Sequence, residues 1–463
     1  MTDNQKHPNE LQRSLKNRHI QMIALGGAIG TGLFYGSGTT IKLVGPGISL
    51  SYVIGGIAIF FIMRALGEMS VDEPVSGSFS HYADRYWGDF AGFFSGWNYW
   101  FCYVVVSMAE LSVVGVYINY WFPSVPTWVS ALAFLILITL VNLINVKAFG
   151  EFEFWFSLIK VVAIVAMILF GLLIIFFGLG DNGQSIGLSN LWAHGGYLPN
   201  GLWGLLLSLV IVMFSFGGVE LIGITAGEAD NPKESIPKAI NQVVWRILLF
   251  YVGALLVLTI IYPWNLVGTT GSPFVEIFSK IGIPAAAGIL NVVVLTAALS
   301  TYNSGLYSNG RMLHSLALQG SAPQIFASLS KAGAPIAGVM FSSGLTLIAV
   351  ILNFLVPGKV FLYLISVATI AAIVNWGMIL ITHLKFRRAK QETGEAKKLV
   401  FKLPLYPISN YVTLVFLAMV IVLMAYLPDM VYSLYIGPVW ILILYIGYKL
   451  KGPSPSKDDP RYN

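Results

Sequence analysis

Twelve long apolar runs constrain this chain more than any other feature. They fall at roughly 20–41, 48–66, 91–120, 127–147, 153–178, 203–228, 242–262, 284–306, 335–356, 360–385, 407–427 and 430–450. Each is near the ~20 residues a helix needs to cross a hydrocarbon core. Inside such a core every backbone N–H and C=O must find a partner within the protein, which leaves helices or a closed barrel. The runs are continuous and rich in Leu, Ile, Val and Phe, without the period-two alternation of a barrel strand. Charged residues make up only 10% of the chain, against about 25% in soluble domains. The expected fold is therefore all-α and membrane-integral, with 12 transmembrane helices.

An even number of spans puts both termini on one side, and Lys and Arg choose the side. The segment before the first span carries Lys6, Arg13, Lys16 and Arg18. The loop after the tenth carries Lys385, Arg387, Arg388, Lys390, Lys397, Lys398 and Lys402, and the C-terminal stretch carries Lys449, Lys451, Lys457 and Arg461. Only Lys42, Lys280 and Lys359 fall on the opposite face. Both termini are expected to be cytoplasmic, as short tails at 1–19 and 451–463, and the polar start does not read as a cleaved signal peptide. Topology thus accounts for the +6 net charge without nucleic acid as a partner. The larger cytoplasmic loops are expected at 67–90, 229–241, 307–334 and 386–406, and the main outer ones at 179–202 and 263–275.

Several function classes fall away. There is no GxxxxGK[ST] loop, so nothing points to ATP as the power source or to an ATP-hydrolysing subunit. HExxH and GxSxG are missing and the six histidines are scattered, which speaks against an enzyme. The single cysteine, Cys102, offers neither an intramolecular disulfide nor a cysteine metal cluster. No cofactor or metal is expected.

The first span contains "ALGGAIGTGLF", with Gly26, Gly27, Gly30 and Gly32 in seven residues. Glycine is among the poorest helix formers. Three readings compete: a nucleotide loop, close packing of small residues between helices, or a broken helix lining a site. The nucleotide loop fits worst, because the GxxGxG order is reversed and no strand precedes it. Backbone that leaves the helix at membrane depth persists only where it is buried or lines a cavity. A second interruption in the matching position of a second half favours that reading, and span six supplies one: "FSFGGVELIG", with Gly217 and Gly218 adjacent. Given the opposite span directions, free N–H groups near Gly30–Gly32 would suit a carboxylate. Carbonyls near Phe214–Phe216 would suit an ammonium. Together they fit an α-amino acid.

Ionisable residues within spans are expensive and stand as functional candidates. Glu110, Lys160 and Glu220 are three. Lys160 is either a buried proton-exchanging amine or a side chain snorkelling to the interface. Glu220 is a cap-type network carboxylate, part of proton coupling or a group that shapes the pocket, and Glu110 pairs in the bundle or takes part in coupling. Phe216 is either core packing or a lid over substrate, and Tyr103, Tyr302 and Asn303 are weaker pocket candidates. Arg64 reads as an interface anchor, and Trp121, Trp128 and Trp264 as an aromatic belt.

The stretches "NRHIQMIALGGAIGTGLFYGSG", "FGEFEFWFSLIKVVAIVAMI", "MFSFGGVELIGITAGEADNPKESIPKAINQV" and "VVLTAALSTYNSGLYSNGRMLHSLALQGSAP" closely resemble the bacterial amino-acid permeases of the amino acid–polyamine–organocation superfamily. That resemblance implies a leucine-transporter-type fold: a 5+5 inverted repeat (20–178 and 203–385), broken helices 1 and 6, and two further helices at 407–450. It also implies proton-coupled uptake of an amino acid across the plasma membrane. The motifs match Ile29, Gly30, Thr31 and Gly32 to the carboxylate-binding break, and Phe214, Ser215, Phe216 and Gly217 to the ammonium-binding and gate stretch. Lys160 matches the lysine that stands in for a sodium ion, and Glu220 and Glu228 match acidic positions linked to transport. Because Glu220's type recurs across different substrates, it is not a cation-specificity determinant. Two stretches, "SGWNYWFCYVVVSMAELSVVGVYI" and "KFRRAKQETGE", look most like aromatic amino-acid and phenylalanine permeases; others resemble proline and D-serine/D-alanine/glycine permeases. The expected function is proton symport of a neutral amino acid, aromatic or small. The alternatives are a permease for cationic amino acids or γ-aminobutyrate, and a sensor that binds without transporting.

Overall fold

The computed structural model describes residues 18–19, 21–22, 29–75, 77–144, 146–178, 186–226, 231–269, 271–280, 284–331, 333–356 and 360–451. Among them all regular structure is helical. In chain order the helices are α1 (Thr31–Phe34), α2 (Gly36–Val44), α3 (Ile48–Asp72), α4 (Ser78–Tyr86), α5 (Asp89–Asn119), α6 (Thr127–Ile144), α7 (Val146–Phe177), α8 (Gly201–Ser215) and α9 (Leu221–Thr225). There follow α10 (Pro232–Arg246), α11 (Ala254–Ile261), α12 (Pro273–Lys280), α13 (Pro284–Leu318), α14 (Ile336–Leu355), α15 (Val360–Glu392), α16 (Ile408–Met424) and α17 (Val431–Leu450). A π-helical stretch, Ile247–Gly253, joins α10 to α11.

Eight helices among the described residues are long and apolar enough to cross a membrane by length and composition, and three shorter apolar helices accompany them. Several outrun the apolar segments that announce them. α3 continues to Asp72, α13 to Leu318 and α15 to Glu392, and α4 and α10 occupy stretches expected to be loops. The reason is physical: hydropathy marks only the part of a helix that meets lipid, whereas backbone hydrogen bonding continues into water. Ion pairs at the ends then support the extra turns. Lys390 of α15 meets Asp72 of α3 at 2.9 Å and Glu395 at 2.9 Å.

α5 sits at the centre, buried along most of its length, with α13 and α15 packed along it. α17 lies at the opposite extreme. Of its twenty residues only Ser433 and Leu444 are buried, and its outward Ile441, Ile443 and Leu450 present an apolar surface that lipid would cover. The chain reversal between α2 and α3 is made by Gly45-Pro46-Gly47, with Gly45 at φ +65.

Candidate functional site

Two stretches of non-helical backbone meet at the centre. The first is Ile29–Gly30, where extended backbone at Gly30 (φ −124, ψ −158) leads into α1. The second is Phe216–Glu220, a run of turns between α8 and α9. The glycine pair explains that stop: Gly218 has φ +101, a conformation open to glycine and strained for other residues. The helix ends that adjoin them, at Gly32 of α1 and Ser215 of α8, touch. A Cβ placed on Gly32 would stand 2.6 Å from the Cα of Ser215, so the contact exists only because residue 32 has no side chain.

Around this contact lies a small cavity lined by Gly30, Gly32, Tyr103, Glu110, Phe214, Ser215, Gly217, Glu220 and Thr301, with Cys102, Val106, Ala368 and Ala372 closing the apolar side. Its open volume is about 20 Å³, room for roughly one water. Anything larger than a water enters only if the walls move.

Its two acids are buried, and buried carboxylates need partners. Glu110 of α5 accepts a hydrogen bond from Thr31 Oγ1 at 2.9 Å, which places its carboxylate directly against the Gly30–Thr31 backbone. Glu220 accepts from Tyr103 Oη at 3.0 Å and from Trp376 Nε1 at 3.3 Å. Ser215 is fixed from both ends: its hydroxyl meets Tyr52 Oη at 2.9 Å, and its carbonyl accepts from Tyr251 Oη at 3.1 Å. The carbonyl of Phe214 accepts from Gly217 N at 3.0 Å. A ligand ammonium would share or displace these donors.

Lys160 of α7 is fully buried and sits fourteen residues into a helix that begins at Val146. Its Nζ donates to the carbonyl of Ile29 at 3.3 Å and to Ser300 Oγ at 2.9 Å. The side chain therefore points inward to the first backbone segment and does not snorkel. Ser300 Oγ in turn donates to Glu153 Oε1 at 2.5 Å.

Of the residues singled out in the sequence, Ile29, Gly30, Thr31, Gly32, Tyr103, Glu110, Lys160, Phe214, Ser215, Gly217 and Glu220 converge here. Phe216 does not line the cavity; it packs on Tyr52 and Tyr251, with ring centroids 5.7 and 5.2 Å away. Tyr302 and Asn303 face away from it, Tyr302 beside Thr139 and Ser343 and Asn303 accepting from Asn142 Nδ2 at 2.8 Å. Their neighbour Thr301 is the cavity residue, because one step along a helix turns a side chain by about 100°. Glu228, Gly26, Gly27 and Lys359 lie outside the described residues. Glu153, Ser300, Thr301 and Trp376 went unnoticed in the sequence. Glu153 and Ser300 are 147 residues apart, and no local pattern joins them.

A many-helix membrane protein with a buried polar site beside two short non-helical segments is the class these features define. Residues 19–456 match the amino acid permease family, and the chain belongs to that family. It is 54% identical over 451 residues to the aromatic amino acid transport protein AroP of Escherichia coli strain K12, covering 97% of this chain and 98% of that protein. AroP of Shigella flexneri shows the same identity and coverage. The uncharacterized amino acid permease YtnA of Bacillus subtilis strain 168 is 54% identical over 448 residues, covering 97% and 96% of the two chains.

Proposed function

We propose that this permease imports a neutral amino acid, most simply an aromatic one, in symport with protons. One observation carries the reading: Gly30 of the first helix-free segment and Gly217 and Glu220 of the second line a single cavity, beside the contact of Gly32 with Ser215. Backbone N–H groups of Gly30–Gly32 would receive the substrate carboxylate and carbonyls of Phe214–Phe216 the ammonium. The side chain would extend toward Cys102, Val106, Ala368 and Ala372, an apolar wall suited to a neutral residue. The names of the relatives, aromatic amino acid transporters among them, point the same way.

In this reading the chain has twelve spans, with an inverted repeat over 20–178 and 203–385, two added helices at 407–450, and cytoplasmic termini in the plasma membrane. The ion-paired helix ends at Asp72 and Lys390 would face the cytoplasm, and Lys42, which donates to Asn265 O at 2.6 Å, the outside. Lys160 would carry the proton, with Glu110 and Glu220, and Glu228 beyond the described residues, as further coupling candidates. Because the cavity holds about 20 Å³, loading requires one bundle to rock against the other.

The two cavity acids favour a second reading, a cationic amino acid or γ-aminobutyrate as substrate. A counterflow competition panel separates the two. Phenylalanine, tyrosine and tryptophan are expected to compete, whereas lysine, arginine and γ-aminobutyrate are not. Phenethylamine and 3-phenylpropionate, each lacking one end of the zwitterion, are expected to fail. Competition by either analogue at the potency of phenylalanine would remove the backbone head-group site.

A further inference from the structure

The mechanism above leaves Lys160 with a proton to give and no route for it. Two turns earlier on the same helix stands Glu153, wholly buried. Its Oε1 accepts from Ser300 Oγ at 2.5 Å and from Ser157 Oγ at 3.2 Å, with Ser304 beside it. The Ser300 hydroxyl also receives the Lys160 ammonium at 2.9 Å. One hydroxyl thus accepts from the base and donates to the acid at once. A carboxylate placed only to neutralise Lys160 would gain more from direct contact; a bridging hydroxyl is the arrangement a proton hand-over needs. Two residues toward the start of α7, Glu151 is part-exposed and pairs with Arg18 and with His19 at 3.1 Å. Glu153 therefore lies between Lys160 and a solvated helix end.

We propose that Glu153 is the proton acceptor for Lys160, relayed by Ser300, on the exit side of the transport cycle; this rests on the proton-coupled reading above. In the step, an N–H bond of the Lys160 ammonium breaks and its proton bonds to Ser300 Oγ. The Ser300 O–H bond breaks as that proton bonds to Glu153 Oε1. The products are a neutral amine, an unchanged hydroxyl and a carboxylic acid, with no change in net charge and no co-reactant. Glu153 then loses its proton toward the Glu151 end. The other charged groups acting on Lys160 are Glu110 of α5 and Arg246 of α10; Lys160 is the charged group acting on Glu153.

The test uses full-length protein in proteoliposomes with radiolabelled phenylalanine, comparing accumulation under an inside-alkaline gradient with counterflow exchange, which needs no net proton release. For one proton per substrate, one pH unit drives about tenfold accumulation in the wild type. Glu153→Gln is expected to equilibrate without accumulating while still exchanging. Ser300→Ala is expected to do the same, and Ser300→Thr, which restores the hydroxyl, to recover accumulation. If the wild type accumulates and Glu153→Gln accumulates equally, the relay is wrong and proton coupling stands. If the wild type itself ignores the pH gradient, the coupling falls and takes the relay with it. Loss of exchange along with accumulation in a monodisperse Glu153→Gln protein assigns Glu153 a structural role and overturns the proposal. Should Glu153→Gln fail to fold, the Ser300 pair decides by the same criteria.

Discussion

The buried charges at the centre and those at the α3–α15 helix ends are held in opposite ways. At the centre, Glu110, Glu220 and Lys160 are held by hydroxyls, an indole and a backbone carbonyl. At the helix ends, Glu68 of α3 meets Arg387 of α15 directly at 2.5 Å and His383 Nε2 at 2.9 Å, and it accepts from Leu403 N at 2.7 Å. Asn410 Nδ2 approaches His383 Nδ1 at 3.2 Å, so a neutral imidazole with its proton on Nε2 satisfies both contacts. Arg64 completes the cluster, stacked 3.7 Å over the Phe401 ring. Hydroxyl partners can donate or accept and so serve either protonation state, whereas a direct buried ion pair penalises loss of either member. In the proposed reading the centre changes charge state while the helix ends hold theirs.

Substitutions can break that contrast. The largest effect is expected at the centre from Gly32→Val, because even a Cβ there would lie 2.6 Å from backbone. Substrate binding should vanish, measured by scintillation proximity. Gly36→Ala serves as control: its Cβ would meet Ile211 at an ordinary 3.5 Å, and binding should survive. Next, Lys160→Ala should abolish gradient-driven accumulation while counterflow continues; normal accumulation would return Lys160 to a packing role.

At the helix ends the expected loss is of stability. Glu68→Ala leaves Arg387 buried without its carboxylate, a cost of about 3–5 kcal/mol. It should appear as a markedly lower melting temperature in detergent with substrate affinity unchanged. A Glu68→Met/Arg387→Met double variant should recover most of that loss. If it melts no higher than Glu68→Ala, the pair is not the source of the penalty. A smaller effect, about 1 kcal/mol, is expected from Tyr251→Phe, which removes one donor from the Ser215 carbonyl.

The smallest effect concerns pH at the start of α4. Burial pushes the Glu73 carboxyl up, but the hydrogen bond from His81 and the charges of His81 and Arg85 outweigh it and hold the group below its usual value. A depressed carboxylate contributes stability above its unfolded-state value and loses it as pH falls through the folded one. Melting temperature should therefore decline on acidification in the wild type, and slightly less steeply in Glu73→Gln. Identical slopes would remove Glu73 from the acid response.

The sequence made the centre legible because its signals are local and costly. Paired glycines in an apolar run and a lysine inside another have few cheap explanations; Gly30, Gly32 and Gly217 line the cavity, and Lys160 reaches the Ile29 carbonyl next to it. The rest depended on contacts between distant segments. Thr301 was hidden one helical step from Tyr302 and two from Asn303. Glu153 stood at the first residue of its apolar run and was not singled out; α7 starts seven residues earlier, at Val146. Glu68 lay in a stretch read as loop, because nothing near it shows that α3 continues and that its partners arrive from 315 and more residues away.

The central claim is that substrate held by the Gly30–Gly32 and Phe214–Gly217 backbone is driven inward by protons. Its most direct test is concentrative uptake of labelled phenylalanine into sodium-free proteoliposomes with an inside-alkaline gradient. The account predicts accumulation that a protonophore collapses and that sodium does not enhance. Accumulation that requires sodium, or equilibration indifferent to the pH gradient, would contradict it.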